Sequence, residues 1–236
     1  MPALLFLTRF LQRPFQIASV IPSSPMMVRR VAGKMDFSRP VVIAEYGAGE
    51  GCHSRELLRR AHPDSTLLLF ELDPEFCRSL EEQFADDPRV SVINADCATL
   101  PQELAARGLA GCDYILSGIP FSILEIGKKR EILRNTYQVL KPGGEFIIYQ
   151  VTNELRRHAT GDGLFPRATS EYFLQNVPPM FITVFHKEPA ATNGARRNGT
   201  AASLNGKTYP VAASSSPGRN GNGHRAAHAA SSPARR

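Results

Sequence analysis

The chain lacks the features that mark several common protein classes. Its four cysteines, Cys52, Cys77, Cys97 and Cys112, stand singly, with no Cys-x-x-Cys pair and no histidine cluster at metal-ligand spacing. That excludes a zinc site and a disulfide framework from the reading and leaves reduced cytosolic thiols; no metal is expected. The opening MPALLFLTRFLQR is too short and too early broken by Arg9 to span a bilayer, and it has neither a basic start nor a small-residue cleavage site. No export or transmembrane segment is therefore expected. No Ser/His/Asp or Cys/His arrangement suggests a covalent nucleophile. Acids are missing from both ends: the first is Asp36, and none follows Glu188.

What is present is enough for one folded domain with extensions. Of 236 residues, 42% are hydrophobic, which suits a core of about 150 residues. The formal charge of +6 is unevenly placed, because seven basic residues and no acid follow Glu188 while the preceding part is close to neutral. The net basicity is thus a property of the tail. From residue 189 to 236 the chain is Ala, Ser, Asn, Gly, Pro and Arg with almost no large apolar side chains, which is too little to offset the entropy of ordering. A disordered tail is expected there, a folded core over 40–188, and an N-terminal helix with a lid segment over 1–39.

Within the core, apolar β-branched runs alternate with amphipathic stretches, the pattern of a doubly wound α/β sheet. Strands are predicted at VVIAEY (41–46), TLLLFEL (66–72), RVSVIN (89–94), CDYILSG (112–118) and EFIIYQV (145–151). Helices are predicted from the first glycine turn to Arg60, from Pro74, over 101–107 and over 125–140. The last ends at Lys141-Pro142-Gly143-Gly144, which can neither continue a helix nor fill a strand interior. A closing hairpin is predicted, with strands near 170–176 and 181–187 around Val177-Pro178-Pro179. The expected fold is α/β, Rossmann-like, with a mostly parallel seven-stranded sheet ending in an antiparallel hairpin.

Three groups fall at the carboxyl ends of the first three strands, where open α/β sheets bind ligands. The first is Glu45-Tyr46-Gly47-Ala48-Gly49-Glu50-Gly51, whose glycines allow a sharp turn and a close ligand. A dinucleotide fingerprint would place glycine where Cys52 stands, so the run fits an adenosyl group without phosphates better. The second is Glu71, beside Leu72, able to accept from both ribose hydroxyls. The third is Asp96, beside Cys97, suited to accept from an adenine amino group or to cap the following helix. A fourth strand end, Ser117-Gly118-Ile119-Pro120-Phe121, is the candidate substrate loop and lends Ser117 to the cofactor side.

Taken together, Glu45 to Gly51, Glu71, Asp96 and the Lys-Pro-Gly-Gly turn resemble the motif series of class I S-adenosylmethionine methyltransferases over roughly residues 40–188. That resemblance implies that Glu45, Gly47, Gly49, Gly51, Glu71, Leu72, Asp96, Cys97 and Ser117 hold the cofactor. Residues 10–24 and 176–185 are similar to segments of bacterial phospholipid N-methyltransferases, which in turn resemble ribosomal RNA adenine dimethylases in fold. Amino-group methylases carry an Asn/Asp/Ser-Pro-Pro-Tyr/Phe-like loop, and this chain keeps the aromatic but not the proline pair. The implied reaction is methylation of a lipid amine, phosphatidylethanolamine towards phosphatidylcholine or an ornithine lipid, with RNA adenine as the alternative. Tyr46, Tyr149 or a water could accept the proton, and the sequence does not choose among them.

On a helical wheel Leu4, Phe6, Leu7, Phe10 and Leu11 share one side, and Thr8, Arg9, Gln12 and Arg13 the other. With five basic residues before the first acid, this end suits an anionic membrane surface, and Phe6, Leu7, Arg9, Phe10 and Arg13 are the candidate contacts. A lid packed on the core is the rival reading. The expected protein is a monomer, cytoplasmic and peripheral to the inner face of the membrane, with a phospholipid substrate. Ser23-Ser24-Pro25 reads as a helix start whose amides either cap or meet an anion.

Overall fold

The computed structural model describes residues 23–161 and 163–189. The predicted amphipathic helix, with Phe6, Leu7, Arg9, Phe10 and Arg13, and the predicted tail beyond Pro189 lie outside the described residues.

Seven strands form one sheet in the order β3-β2-β1-β4-β5-β7-β6. Strands β1 (Val42–Tyr46), β2 (Thr66–Phe70), β3 (Val90–Ile93), β4 (Cys112–Ser117) and β5 (Leu140–Gln150) run parallel, while β7 (Met180–His186) pairs antiparallel with β5 and with β6 (Arg167–Phe173). The near-continuous apolar runs of β1, β2 and β4 follow from burial on both faces. The helices are α1 (Pro25–Ala32), α2 (Cys52–Arg60), α3 (Pro74–Gln83), α4 (Leu100–Ala106), α5 (Ile126–Val139) and α6 (Glu154–Gly161). Met27 and Val31 of α1, Leu57 of α2 and Leu80 of α3 pack with Ile43, Leu67 and Leu116 in one core. Leu104 of α4, Ile132 of α5 and Leu155 of α6 pack with Ala44, Leu68 and Phe146 in the other.

Several boundaries differ from those read in the sequence. The folded core starts before residue 40, since α1 buries Met27, Val28, Val31 and Ala32. Strand β5 begins at Leu140 and takes in Lys-Pro-Gly-Gly, because a register shift against β4 between Cys112 and Tyr114 absorbs the irregular residues. Helix α6 was not expected: its sequence ELRRHATG is mostly polar and buries only Leu155 and Ala159. The hairpin strands lie up to three residues earlier than predicted, with the connecting turn at 174–179.

The strand order reverses at β1 and β4, so the ligand cleft is expected outside their carboxyl ends. The glycine turn, Glu71, Asp96 and the 117–121 loop all lie along that rim. The β6–β7 turn reaches it too, because β7 starts opposite Gln150, the last residue of β5.

Candidate functional site

The turn after β1 is tied to the neighbouring strand: the amides of Gly47 and Ala48 both donate to the Phe70 carbonyl, at 2.8 and 3.2 Å. Gly47, Gly49 and Gly51 all have positive φ, 72°, 53° and 74°. Their surroundings separate their roles. A Cβ on Gly51 would come within 2.9 Å of Leu80 Cδ2, so this glycine lets α3 close on the turn. A Cβ on Gly49 would meet nothing within 4 Å, which leaves an open side for a ligand.

Glu71 follows β2 and faces this open side. Its Oε2 accepts the Gly49 amide at 2.9 Å, and its Oε1 accepts the amides of Leu72 and Asp73 at 2.8 and 3.0 Å. Three backbone donors thus hold the carboxylate in one orientation, and a carboxylate retains acceptor sites for a vicinal diol. Leu72 exposes its side chain beside it. Asp96 both caps, accepting the Ala98 amide at 2.8 Å, and pairs with Lys128 of α5 at 2.8 Å. Burial works to raise its pKa, yet Lys128 and the Ala98 amide outweigh it and the net shift is downward.

Three residues expected to line the cofactor turn inward instead. Glu45 is 1% exposed behind the glycine turn, where its Oε2 accepts from Ser54 Oγ at 2.7 Å. Burial, opposed only by that bond, pushes its carboxyl up to about 8. The Cys97 side chain belongs to the core, and burial raises its thiol to about 12. Ser117 is fully buried, and its Oγ accepts the Ile119 amide at 3.3 Å.

Tyr46 is corrected as a proton acceptor. Its ring lies edge-on to Phe70 in the core, and its fully buried hydroxyl pairs with Thr136 Oγ1 of α5 at 3.1 Å. Phe121 is also buried, edge-on to Phe146, so no aromatic of this loop stands free to stack on a base.

Tyr149 of β5 does reach the loop: a methyl group on Gly118 would collide with its hydroxyl. The ring stacks on His53 at 4.4 Å, and His53 Nε2 pairs with Ser23 Oγ at 3.1 Å, while Nδ1 is buried with no hydrogen-bond partner among the described residues. Burial lowers His53 to about 4, so the imidazole is neutral. Burial, and then Glu45, raise the Tyr149 phenol, which keeps it protonated. The loop backbone is pinned from below by Gln150 Nε2, which donates to the Ile119 carbonyl at 2.7 Å. His53 and Gln150 were not singled out as site residues by sequence reasoning, and Ser23 entered it only as part of the Ser23-Ser24-Pro25 helix start.

The start of α1 closes this side of the cleft. Ser24 Oγ accepts the Met27 amide at 3.1 Å, the capping role, and donates to the Gln175 carbonyl at 3.0 Å. The Ser24 amide donates to Asn176 Oδ1 at 2.9 Å, so α1 is latched to the β6–β7 turn.

Comparison with known proteins matches this arrangement. Residues 43–144 match the family model described as a methyltransferase domain. An ornithine lipid N-methyltransferase from Singulisphaera acidiphila is 35% identical over 142 residues, 60% of this chain and 74% of that protein. Ribosomal RNA small subunit methyltransferase H from Bordetella petrii is 43% identical, but over only 68 residues, 29% of this chain and 19% of that one. Among solved structures, a precorrin-6y C5,15-methyltransferase from Geobacter metallireducens superposes with a TM-score of 0.53 at 16% identity, covering 69% of this chain and 88% of that one. A precorrin 8W decarboxylase from Methanobacterium thermoautotrophicum does so with a TM-score of 0.54 at 18% identity, covering 70% and 91%. At such identities the structures establish the fold alone.

Proposed function

Because the chain belongs to the class I S-adenosylmethionine-dependent methyltransferases, we propose that it methylates the amine of a membrane lipid, an ornithine lipid or phosphatidylethanolamine, at a bilayer surface. The observation that carries the lipid reading is the 35% identity to an ornithine lipid N-methyltransferase, across 74% of its length. The ornithine lipid therefore stands first among the two amines.

S-adenosylmethionine supplies an electrophilic methyl group on sulfur. The residues fit it: Gly49 leaves open space over the turn, and Glu71 is held ready for a ribose diol. In this reading Glu71 and the Gly47–Gly51 turn hold the ribose and methionine parts, with Leu72 and Asp96 at the adenine. The loop from Gly118 to Pro120 receives the amine, held by the Gln150 bond to the Ile119 carbonyl. The amine must lose a proton before attack. Tyr149 stands next to that loop, but as a raised, protonated phenol it serves as a positioning group, and water is left to take the proton. Alignment of amine and methyl group then provides most of the acceleration.

The RNA adenine alternative has less support. Phe121 is buried rather than free to stack, and the match to the ribosomal RNA enzyme spans 19% of that protein. Among the described residues no helix is long and apolar enough to cross a membrane. The test offers the full chain labelled S-adenosylmethionine with ornithine lipid, phosphatidylethanolamine and total RNA in parallel. Label in a lipid amine supports the proposal, and label confined to RNA overturns it.

A further inference from the structure

The described residues hold eight exposed large apolar side chains, and all of them lie towards one end of the molecule. Leu72 and Phe76 follow Glu71 on the adenine side, in company with Asp73 and Glu75. Tyr172 lies near the end of β6, and the remaining five flank the acceptor loop. On one side Met26 stands at the start of α1, and Leu174 and Val177 stand in the β6–β7 turn to which α1 is latched through Ser24 and Asn176. On the other side Ile123 and Ile126 follow Phe121. These five are between 47% and 69% exposed, although monomers seldom gather uncovered apolar side chains around one opening.

Charge separates the two halves of that end. Beside Leu72 and Phe76 the neighbours are acidic. Beside the acceptor loop, Arg156 and Arg157 lie exposed on α6, which packs against the Phe121–Ile123 turn, and Arg29 lies one helical turn from Met26. None of these three arginines is in an ion pair among the described residues. Most nearby carboxylates are already engaged: Glu154 with Lys129 and His158, Glu171 with Arg30 and Lys34, Glu131 with Lys128. Glu125, between Ile123 and Ile126, is exposed and is the acid on this face in no ion pair among the described residues.

We propose that the β4-to-β6 half of this end is a bilayer-docking face of the folded core, separate from residues 1–22. Met26, Leu174 and Val177 enter the headgroup boundary on one side of the acceptor loop and Ile123 and Ile126 on the other. Arg29, Arg156 and Arg157 meet the phosphates of anionic lipids. The acidic adenine side is tilted away from the surface. This rests on the lipid-amine reading, because docking here brings the headgroup plane to the Gly118–Pro120 loop with no lipid withdrawn far from the bilayer.

The test is flotation of the full chain with vesicles of phosphatidylcholine, with and without phosphatidylglycerol, alongside calorimetry with S-adenosylhomocysteine to verify the fold. Arg156→Gln with Arg157→Gln should weaken binding to anionic vesicles roughly thirtyfold, the effect of two surface charges, and the loss should shrink at high salt. Leu174→Ser with Val177→Ser should weaken it about tenfold at any salt. Both should bind S-adenosylhomocysteine as the parent does. Both double variants floating like the parent, or a parent that methylates detergent-dispersed lipid yet ignores anionic vesicles, would overturn the docking face while leaving the lipid substrate standing. The expected flotation pattern from a protein that labels only RNA would uphold the face and overturn the substrate reading.

Discussion

The amide of Gly49 donates to Glu71 Oε2 at 2.9 Å, so the glycine turn after β1 and the acid after β2 are one unit rather than two motifs. Replacing Glu71 with Ala removes a ligand acceptor and also three backbone tethers. Calorimetry should show S-adenosylmethionine binding at least about tenfold weaker, with an unchanged circular dichroism spectrum. Gly49→Leu should weaken it at least as much, because the side chain enters the open space and the positive φ strains any non-glycine residue. Affinity retained in both variants would remove this turn from the cofactor site.

Glu45 sets a pH dependence of stability. Its carboxyl is raised to about 8 by burial, so the folded protein keeps a proton that the unfolded chain has already lost above its ordinary value of 4.5. Stability should therefore fall as pH rises from about 4.5 towards 8 and level off beyond, by at most about 1.4 kcal/mol per pH unit. Glu45→Gln keeps the shape without the titration. Thermal melts across this window should show the variant gaining on the parent as pH rises, and a pH-independent difference would contradict the assignment.

Much of this was legible in the sequence for a definite reason. Strands β1, β2 and β4 are buried on both faces and so read as apolar runs, and the glycine turn with Glu71 is encoded by short local stretches. What escaped depends on contacts distant in the chain. Alternation along β1 does not reveal that Tyr46 points at Thr136, 90 residues away. The Gln150 bond to Ile119 and the Ser23–His53–Tyr149 stack likewise join segments that share no pattern. Helix α6 was missed because two buried residues in a charged octapeptide give too weak a periodicity.

Asp113 carries a second pH dependence, at the opposite end of the sheet. It accepts from Lys141 at 2.6 Å, from Arg39 at 2.8 Å and from the Val42 amide at 2.9 Å. Burial opposes ionisation, but Lys141, the Val42 amide and Arg39 together lower its pKa. The stabilisation is present above the unfolded value and is lost as pH falls through the folded one. Asp113→Asn should cost about 2 kcal/mol near neutral pH in urea unfolding, since both cations are partly solvated, and the difference should narrow in acid. An equal deficit at all pH values would show that packing rather than charge is at stake.

Gly118 and Tyr149 should show second-site rescue. Gly118→Ala drives a methyl group into the Tyr149 hydroxyl and displaces the acceptor loop, at a cost of about 1–3 kcal/mol of overpacking. Turnover should fall roughly tenfold or more, with cofactor affinity retained. Adding Tyr149→Phe removes the colliding oxygen and should restore part of the rate. A double variant no better than Gly118→Ala alone would mean that the loop is not positioned by this contact.

The identity of the methyl acceptor is tested most directly by thin-layer separation of lipids after incubating the full chain with methyl-labelled S-adenosylmethionine and mixed micelles of ornithine lipid and phosphatidylethanolamine. The account predicts label in N-methylated lipid, strongest in the ornithine lipid, and none with Glu71→Ala. Unlabelled lipid beside labelled RNA in a parallel reaction would contradict it.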